Sequence, residues 1–324
     1  VKDYHDLRQS NIAMKDASTT HLVGEARITR VDETAFALAP DVLFPDWDAA
    51  SGQDLEQHCS TTSLDLTNRR VSLKTHLWVV EINGLTIVVD TGIGNGKARP
   101  FSALFDKLDN PVLERFEAAG FRREQVDHVL LTHLHVDHVG WNTHWQNDRW
   151  TPVFPNATYV FSKRERDYFE TPEGQPRRMA FEDSILPLIE AQQARVVSDE
   201  GEEIIDGIRF LPTPGHSIGH MAIEIRSQGQ TALFSGDVMH SPLQVYRPQW
   251  IQLFALISRR HEHQDNRYST MRRQLGPSCS PRTFRKRLAV RCMKAHAASN
   301  GTTWMARNEK RLRNETLRLG GCAI

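Results

Sequence analysis

The chain has 324 residues, 39% of them hydrophobic and 25% charged, with a formal net charge of zero. That is room for one large or two ordinary domains, and the mix is that of a globular protein, not a disordered or fibrous one. No apolar run approaches the roughly 20 residues of a membrane span, and residues 1–20 lack the apolar stretch of a secretion signal, so a cytoplasmic location and no membrane partner are expected. Cys59, Cys279, Cys292 and Cys322 show no CxxC spacing and indicate neither a zinc knuckle nor a disulfide framework. The zero net charge hides an asymmetry: residues 255–324 hold 16 Lys+Arg against 4 Asp+Glu, leaving 24 against 36 in the rest.

In chain order, residues 1–25 read as a loose N-terminal arm. Arg27 to Leu43 alternates weakly and opens a first sheet. Pro40 to Gln57 is rich in Pro, Asp, Gly and Ser and reads as a loop, with Leu43, Phe44, Pro45 and Trp47 packed on the surface. Val71 to Asp90 is a hairpin turning at Asn83-Gly84, the preferred pair for a type I′ turn. Asn110-Pro111 predicts a helix start with Asn as N-cap and Pro at the first helical position, and Gly120 its stop. Val129-Leu130-Leu131 is a buried strand. Thr158 to Phe161 is another, and Ser162-x-x-Glu165 is a capping box for the helix after it. Asp183 or Ser184 is expected to cap a further helix. Ile204 to Phe210 is a second hairpin with an Asp206-Gly207 turn, and strands follow at Met221–Ile225 and Ala232–Phe234. Strands and helices alternate with hairpins between them, so the fold class is α/β, with mixed sheets and helices outside.

The chemistry sits at three strand ends. His133, His135, Asp137 and His138 fall within six positions after the first buried strand. Imidazole and carboxylate are ligands for zinc and similar divalent ions. Four such groups make a poor core, because each carries polar atoms that need partners. His133 and His135, one residue apart, project to the same side of an extended backbone. Asp137 and His138 follow in the turn, so one segment offers two ligand pairs, which suits two neighbouring metals. His216, in a Pro-Gly-His loop, and Asp237, after Ser235-Gly236, can complete the sites, and a carboxylate at 237 can bridge two ions. Such a pair of ions holds a hydroxide at neutral pH and polarises the group it attacks.

The order His133-x-His135-x-Asp137-His138, then His216, then Gly236-Asp237 resembles the metallo-β-lactamase superfamily, over about residues 25–254. The resemblance implies a four-layer αβ/βα sandwich with metals at one edge of its two sheets. It implies a first metal on His133, His135 and His216, and a second on Asp137, His138 and one histidine near the C-terminus, with Asp237 between them. Asp90 then orients a ligand histidine. The stretches around Asp137-His138-Val139-Gly140-Trp141 and Gly236-Asp237-Val238-Met239-His240 are most similar to the branch of quorum-quenching lactonases and methyl-parathion-hydrolase-like enzymes. That branch implies a metal-dependent hydrolase whose metal-bridging hydroxide attacks a lactone, ester or phosphotriester, with Asp137 as proton carrier. Near position 240 those lactonases place a tyrosine on the substrate carbonyl, a task His240 can share as an oxyanion donor. His220 takes a supporting place, and His5, His21, His58, His76, His128 and His144 lack ligand partners.

The implied cofactors are two divalent ions, Zn before Mn, Fe or Co. The partner is a small-molecule substrate; the acidic body speaks against nucleic acid, and a homodimer is compatible with the chain. The alternatives are a glyoxalase-II-like thioesterase and a metal-binding pseudoenzyme lacking the last ligand histidine. That last histidine belongs to a Pro-Ala-His-Phe-like segment that this chain does not contain. Residues 26–254 therefore read as the hydrolase domain and 255–324 as a basic, atypical, poorly ordered tail. A reading-frame shift near residue 254 explains the change: codons for Pro281-Arg282-Thr283-Phe284-Arg285 can read Pro-Ala-His-Phe one base on. A genuine basic arm for nucleic acid or a membrane surface ranks below it, since no RNA-binding motif accompanies the charge.

Overall fold

A computed structural model describes residues 19–56, 59, 63–247 and 250. The expectations for 1–18 and for the tail 255–324, including a frame shift, lie outside the described residues. The first part of the chain forms strands β1 (Thr19–Val23) and β2 (Ala26–Leu38), then short helices α1 (Pro40–Leu43) and α2 (Ala49–Glu56). Next come β3 (Leu64–Asp65), β4 (Arg70–Ile82), β5 (Leu85–Thr91), α3 (Val112–Ala118) and β6 (His128–Leu130). A small hairpin, β7 (Thr143–Gln146) and β8 (Arg149–Pro152), precedes β9 (Thr158–Ser162) and helices α4 (Lys163–Tyr168), α5 (Arg178–Ser184) and α6 (Leu186–Glu190). The last described elements are β10 (Ala194–Val197), β11 (Glu203–Ile205), β12 (Ile208–Pro212), β13 (Met221–Ser227), β14 (Gln230–Phe234) and α7 (Leu243–Tyr246).

The large sheet runs β1-β2-β4-β5-β6-β9-β10, with β3 also on β4, and the second sheet runs β11-β12-β13-β14. β1 to β5 pair antiparallel, and β5, β6, β9 and β10 pair parallel. Parallel neighbours need crossovers: α3 lies between β5 and β6, the β7–β8 hairpin between β6 and β9, and α4 to α6 between β9 and β10. Successive side chains on a strand point to opposite faces, and the large sheet uses both. Leu77, Val79, Val88, Val129, Tyr159 and Phe161 face the helices, packing with Phe116, Phe181 and Leu188. Val80, Ile82, Ile87, Val89, Leu130 and Val160 face the second sheet and meet Phe210, Ile223 and Ile225. Each such side chain, fully buried, stabilises the fold by about 1.5–3 kcal/mol before entropy is counted. Helices, large sheet and second sheet thus stack into the expected α/β sandwich. A third apolar cluster stands apart: Leu43, Phe44 and Leu55 from α1 and α2 pack with Val71, Leu243 and Trp250.

Several local expectations shift. Thr19–Val23 is no loose arm: it is an edge strand, tied to β2 by backbone pairing and by Thr20 against Thr29, hydroxyl to hydroxyl, at 3.1 Å. The Asn83-Gly84 turn has φ of +52° and +76°, as type I′ requires. α3 starts one residue later than predicted, because Pro111 takes the N-cap position with ψ +54°. The capping box is half formed: Ser162 Oγ accepts from Glu165 N at 3.4 Å, while the Glu165 carboxylate goes elsewhere. Asp183 and Ser184 end α5 and cap nothing; both are buried. The Asp183 carboxylate instead takes a bidentate pair of hydrogen bonds from Arg99 at 2.7 and 2.9 Å.

Candidate metal centre

β6 stops at Leu130, and the backbone leaves the sheet with Leu131 N still bonded to Val160 O at 2.9 Å. Asp90, near the end of neighbouring β5, takes hold of the segment that follows. Its Oδ1 accepts from Thr132 N, and its Oδ2 from Thr132 Oγ1, both at 2.8 Å. Oδ2 also lies 2.9 Å from His138 Nδ1. Asp90 reaches both with φ at +53°, a conformation aspartate tolerates better than most residues. One carboxylate therefore fixes both ends of the His133-to-His138 turn. It also accepts a hydrogen bond from His138 Nδ1, which turns Nε2 toward the centre.

A second carboxylate supports that turn from behind. The bulge between Asp32 and Thr34 on β2 sets Glu33 inward, 1% exposed. Its oxygens accept from Ile93 N at 2.7 Å, Gly94 N at 2.9 Å and Trp141 Nε1 at 2.7 Å. Thr91 N donates to His138 O at 2.8 Å, and Gly140 N to Gly92 O at 2.7 Å. The close fit needs glycine at 140, where a Cβ would overlap the Ile93 carbonyl group.

The chain brings five of the six residues expected as ligands into shared groups. His133, His135 and His216 form one group with ligand atoms within 4.8 Å of one another; His133, His138 and Asp237 form a second. His135 Nδ1 and His216 Nε2 are 2.8 Å apart. Asp237 Oδ1 lies 3.2 Å from His138 Nε2, and its Oδ2 lies 3.4 Å from His216 Nε2 and 4.0 Å from His133 Nε2. Asp137 is the outlier, reaching only His138 Nε2, at 3.8 Å. His240 turns its Nε2 to Asp237 Oδ2 at 2.9 Å and joins His216 and Asp237 in a third such group. His220 holds the backbone of Asp237: its Nε2 accepts from Asp237 N at 3.0 Å while its Nδ1 meets Thr213 Oγ1 at 2.8 Å. That arrangement sets the neutral tautomer with the proton on Nδ1.

Charge follows from burial. Burial, and then the positive forms of neighbouring groups, hold His133, His135 and His216 well below the ordinary histidine value, so all three are neutral with lone pairs available. Burial also opposes charge on His138, but Asp237, Asp90 and Asp137 together outweigh it and hold that imidazole well above the usual range. Asp237 is likewise buried, yet His240 and His138 keep it ionised. Burial and the nearby Asp237 charge raise the Asp137 carboxyl, against the pull of His138.

Do these residues fit a metal? His133 settles it chemically. Its Nδ1 is occupied by Thr132 Oγ1 at 3.1 Å, and its Nε2 is buried with no hydrogen-bond partner. A buried unpaired nitrogen aimed at a carboxylate and two more imidazoles costs free energy unless an ion uses its lone pair. The nitrogen-and-oxygen donor set suits zinc and its neighbours.

Fold and site together define a metal-dependent hydrolase. The family model for the metallo-beta-lactamase superfamily matches residues 73–276, and the chain belongs to that superfamily. It is 23% identical over 193 residues to an N-acyl homoserine lactonase of Bacillus thuringiensis, an alignment covering 55% of this chain and 68% of the relative. It is 28% identical over 151 residues to an N-acyl homoserine lactonase of Rhizobium radiobacter, covering 44% and 52%. Among solved structures, a hydrolase of the beta-lactamase superfamily superposes with a TM-score of 0.61 at 24% identity, over 80% of this chain and 84% of the other. A dizinc quorum-quenching lactonase solved with a product does so with a TM-score of 0.61 at 19% identity, over 81% and 87%. These likenesses are of fold. Among the described residues no helix is long and apolar enough to cross a membrane.

Proposed function

We propose that this chain hydrolyses a lactone, ester or phosphotriester of a small molecule at a two-metal centre, with zinc the first candidate for both ions. The observation that carries the reading is the placement of Asp237, whose two oxygens face different histidines: Oδ1 faces His138, and Oδ2 faces His216 and His133. His133, His135 and His216 would hold one ion, and Asp137 and His138 the other, with Asp237 shared. Bound there, divalent ions supply an activated water and polarise the carbonyl or phosphoryl group under attack. Asp137 carries the proton from the attacking water to the leaving oxygen. His240, the imidazole nearest Asp237 at 2.9 Å, donates to the developing oxyanion. Asp90 keeps His138 turned so that Nε2 faces the centre. The lactonase relatives favour the lactone among these substrates. Residues 26–254 carry this chemistry in our reading, and nucleic acid is not a substrate.

The test is metal analysis joined to a hydrolase panel. Purified chain is measured for zinc, manganese, iron and cobalt, then assayed on an acyl-homoserine lactone, an aryl ester, a phosphotriester and a glutathione thioester. Two ions per chain and turnover of the lactone, both lost in His135→Ala, are the expected result. Full activity in His135→Ala sinks the metal mechanism. Preference for the thioester moves the assignment to the thioesterases.

A further inference from the structure

The ligand histidines reach the centre on two loops from different sheets. His133 and His135 follow β6 of the large sheet; His216 lies between β12 and β13 of the second sheet. Within the sandwich the loops meet at one backbone bond, Met221 N to Thr132 O at 2.8 Å. Beyond it, both lean on a residue that belongs to neither. Glu165 stands in the first turn of α4 and is 3% exposed. Its Oε2 accepts from Leu134 N at 3.1 Å, the amide between His133 and His135. Its Oε1 accepts from Gly219 N at 2.7 Å, three residues after His216. The approach is close: a Cβ on Gly219 would stand 2.6 Å from Ser162 Oγ and 2.8 Å from Glu165 N.

We infer that Glu165 is a positioning residue for the metal centre, a carboxylate clamp that sets the distance between the His133–His135 segment and the His216 loop. The inference rests on the metal reading above. A carboxylate is suited to this task because both its oxygens accept, so one rigid group takes a backbone donor from each loop. A glutamine keeps the length but offers one acceptor oxygen, and its amide N–H would face the other donor. An aspartate keeps both acceptors but is one methylene short of spanning the gap. Either change leaves one loop free to move away from the other. Such movement is felt in metal affinity, because three ligand nitrogens must be held at one spacing at once.

The experiment compares wild type, Glu165→Gln, Glu165→Asp and Ser162→Ala by zinc competition with a chromophoric chelator. Each is also unfolded thermally in the metal-free form, and Co(II) absorption reports coordination geometry. Ser162→Ala is the control: it removes the Oγ that caps the same helix at Glu165 N and leaves both carboxylate hydrogen bonds of Glu165 in place. The expected result is zinc affinity about tenfold weaker in both Glu165 variants, the size typical for residues that support metal ligands, with an altered Co(II) spectrum. Ser162→Ala lowers the metal-free melting temperature and leaves zinc affinity within about twofold of wild type. Glu165 variants that bind zinc as tightly as wild type overturn the clamp. So does a Ser162→Ala protein that loses affinity in step with its stability. Should Glu165→Gln fail to fold, Glu165→Asp carries the comparison. A wild-type chain that takes up no zinc overturns the metal reading itself, and the clamp with it; zinc in wild type with no effect at 165 overturns the clamp alone.

Discussion

Lys97→Met removes a buried amine that belongs to none of the candidate metal groups, and its effect can be worked from the structure. Lys97 and Arg99 are both 0% exposed and share one carboxylate, Asp183, with Lys97 Nζ at 3.5 Å and the Arg99 fork at 2.7 Å. Lys97 Nζ also donates to Thr143 Oγ1 at 2.8 Å and sits 3.8 Å from the centre of the Trp150 ring. Two cations on one carboxylate leave a surplus positive charge, and arginine does not give up its proton. Lysine therefore yields: burial, with Arg99 adding and Asp183 opposing, pushes it from 10.5 down to about 7. At 1.36 kcal/mol per pH unit this is a bias of about 5 kcal/mol against the charged form. The sign follows by linkage. Between about 7 and 10.5 the unfolded chain holds a proton that the folded chain has released, so stability rises with pH across that window. From pH 7 to 8.5 the rise from Lys97 is about 2 kcal/mol, or about 4–8 °C of melting temperature for a domain of this size. By about pH 6 Lys97 contributes almost no slope. The assay is urea unfolding of wild type and Lys97→Met at pH 6, 7, 7.75 and 8.5, so that all other titrations cancel in the difference. Wild type should gain on the variant by about 2 kcal/mol between pH 7 and 8.5. A difference that stays flat across that range refutes the reasoning.

Two further substitutions probe the frame around the centre. Asp90→Asn keeps the shape but removes the charge facing His138 Nδ1; metal affinity should fall by about 10–100-fold, read by chelator competition, with little change in secondary structure by circular dichroism. Glu33→Ala orphans the buried Ile93, Gly94 and Trp141 N–H donors; at about 1–3 kcal/mol for each unsatisfied group, urea unfolding should show a loss of at least about 3 kcal/mol.

The candidate ligands His133, His135 and His138 were legible in the sequence because their spacing is local, and His216 and Asp237 because each ends a predicted strand or loop. The hairpins were legible because Asn83-Gly84 and Asp206-Gly207 announce turns. The Asn147-Asp148 turn of β7 and β8 was missed, though φ of +52° and +57° makes it a similar turn; asparagine and aspartate without glycine are a weaker signal. What holds the ligands was less visible. Glu33 and Glu165 lie 100 and 32 positions before and after His133 in chain order, and nothing local separates them from surface glutamates. Glu165 was read as half of a capping box, a local pattern that its side chain abandons for two distant amides. Asp183 looked like a cap for the same reason and is a buried counter-ion to Arg99. Such pairings are settled by which strands become neighbours, and sequence spacing carries no trace of that.

The third apolar cluster separates two kinds of change. Asp90 and the candidate ligands from His133 to Asp237 stand on the edges of the two sheets. His240 depends on other ground: its backbone N donates to Gln244 Oε1 at 2.8 Å, and Gln244 Nε2 donates to Trp250 O at 3.1 Å. Trp250 rests on Phe44 and Trp47, ring centroids 5.3 and 5.1 Å away. Repacking around Trp250 therefore acts on His240 first, and through its 2.9 Å contact on Asp237, without touching the two cores that carry the strands. His240, three residues after Asp237 and 2.9 Å from it, is thus held from two directions, by the sheet edge that carries Asp237 and by a separate apolar core that begins at α1.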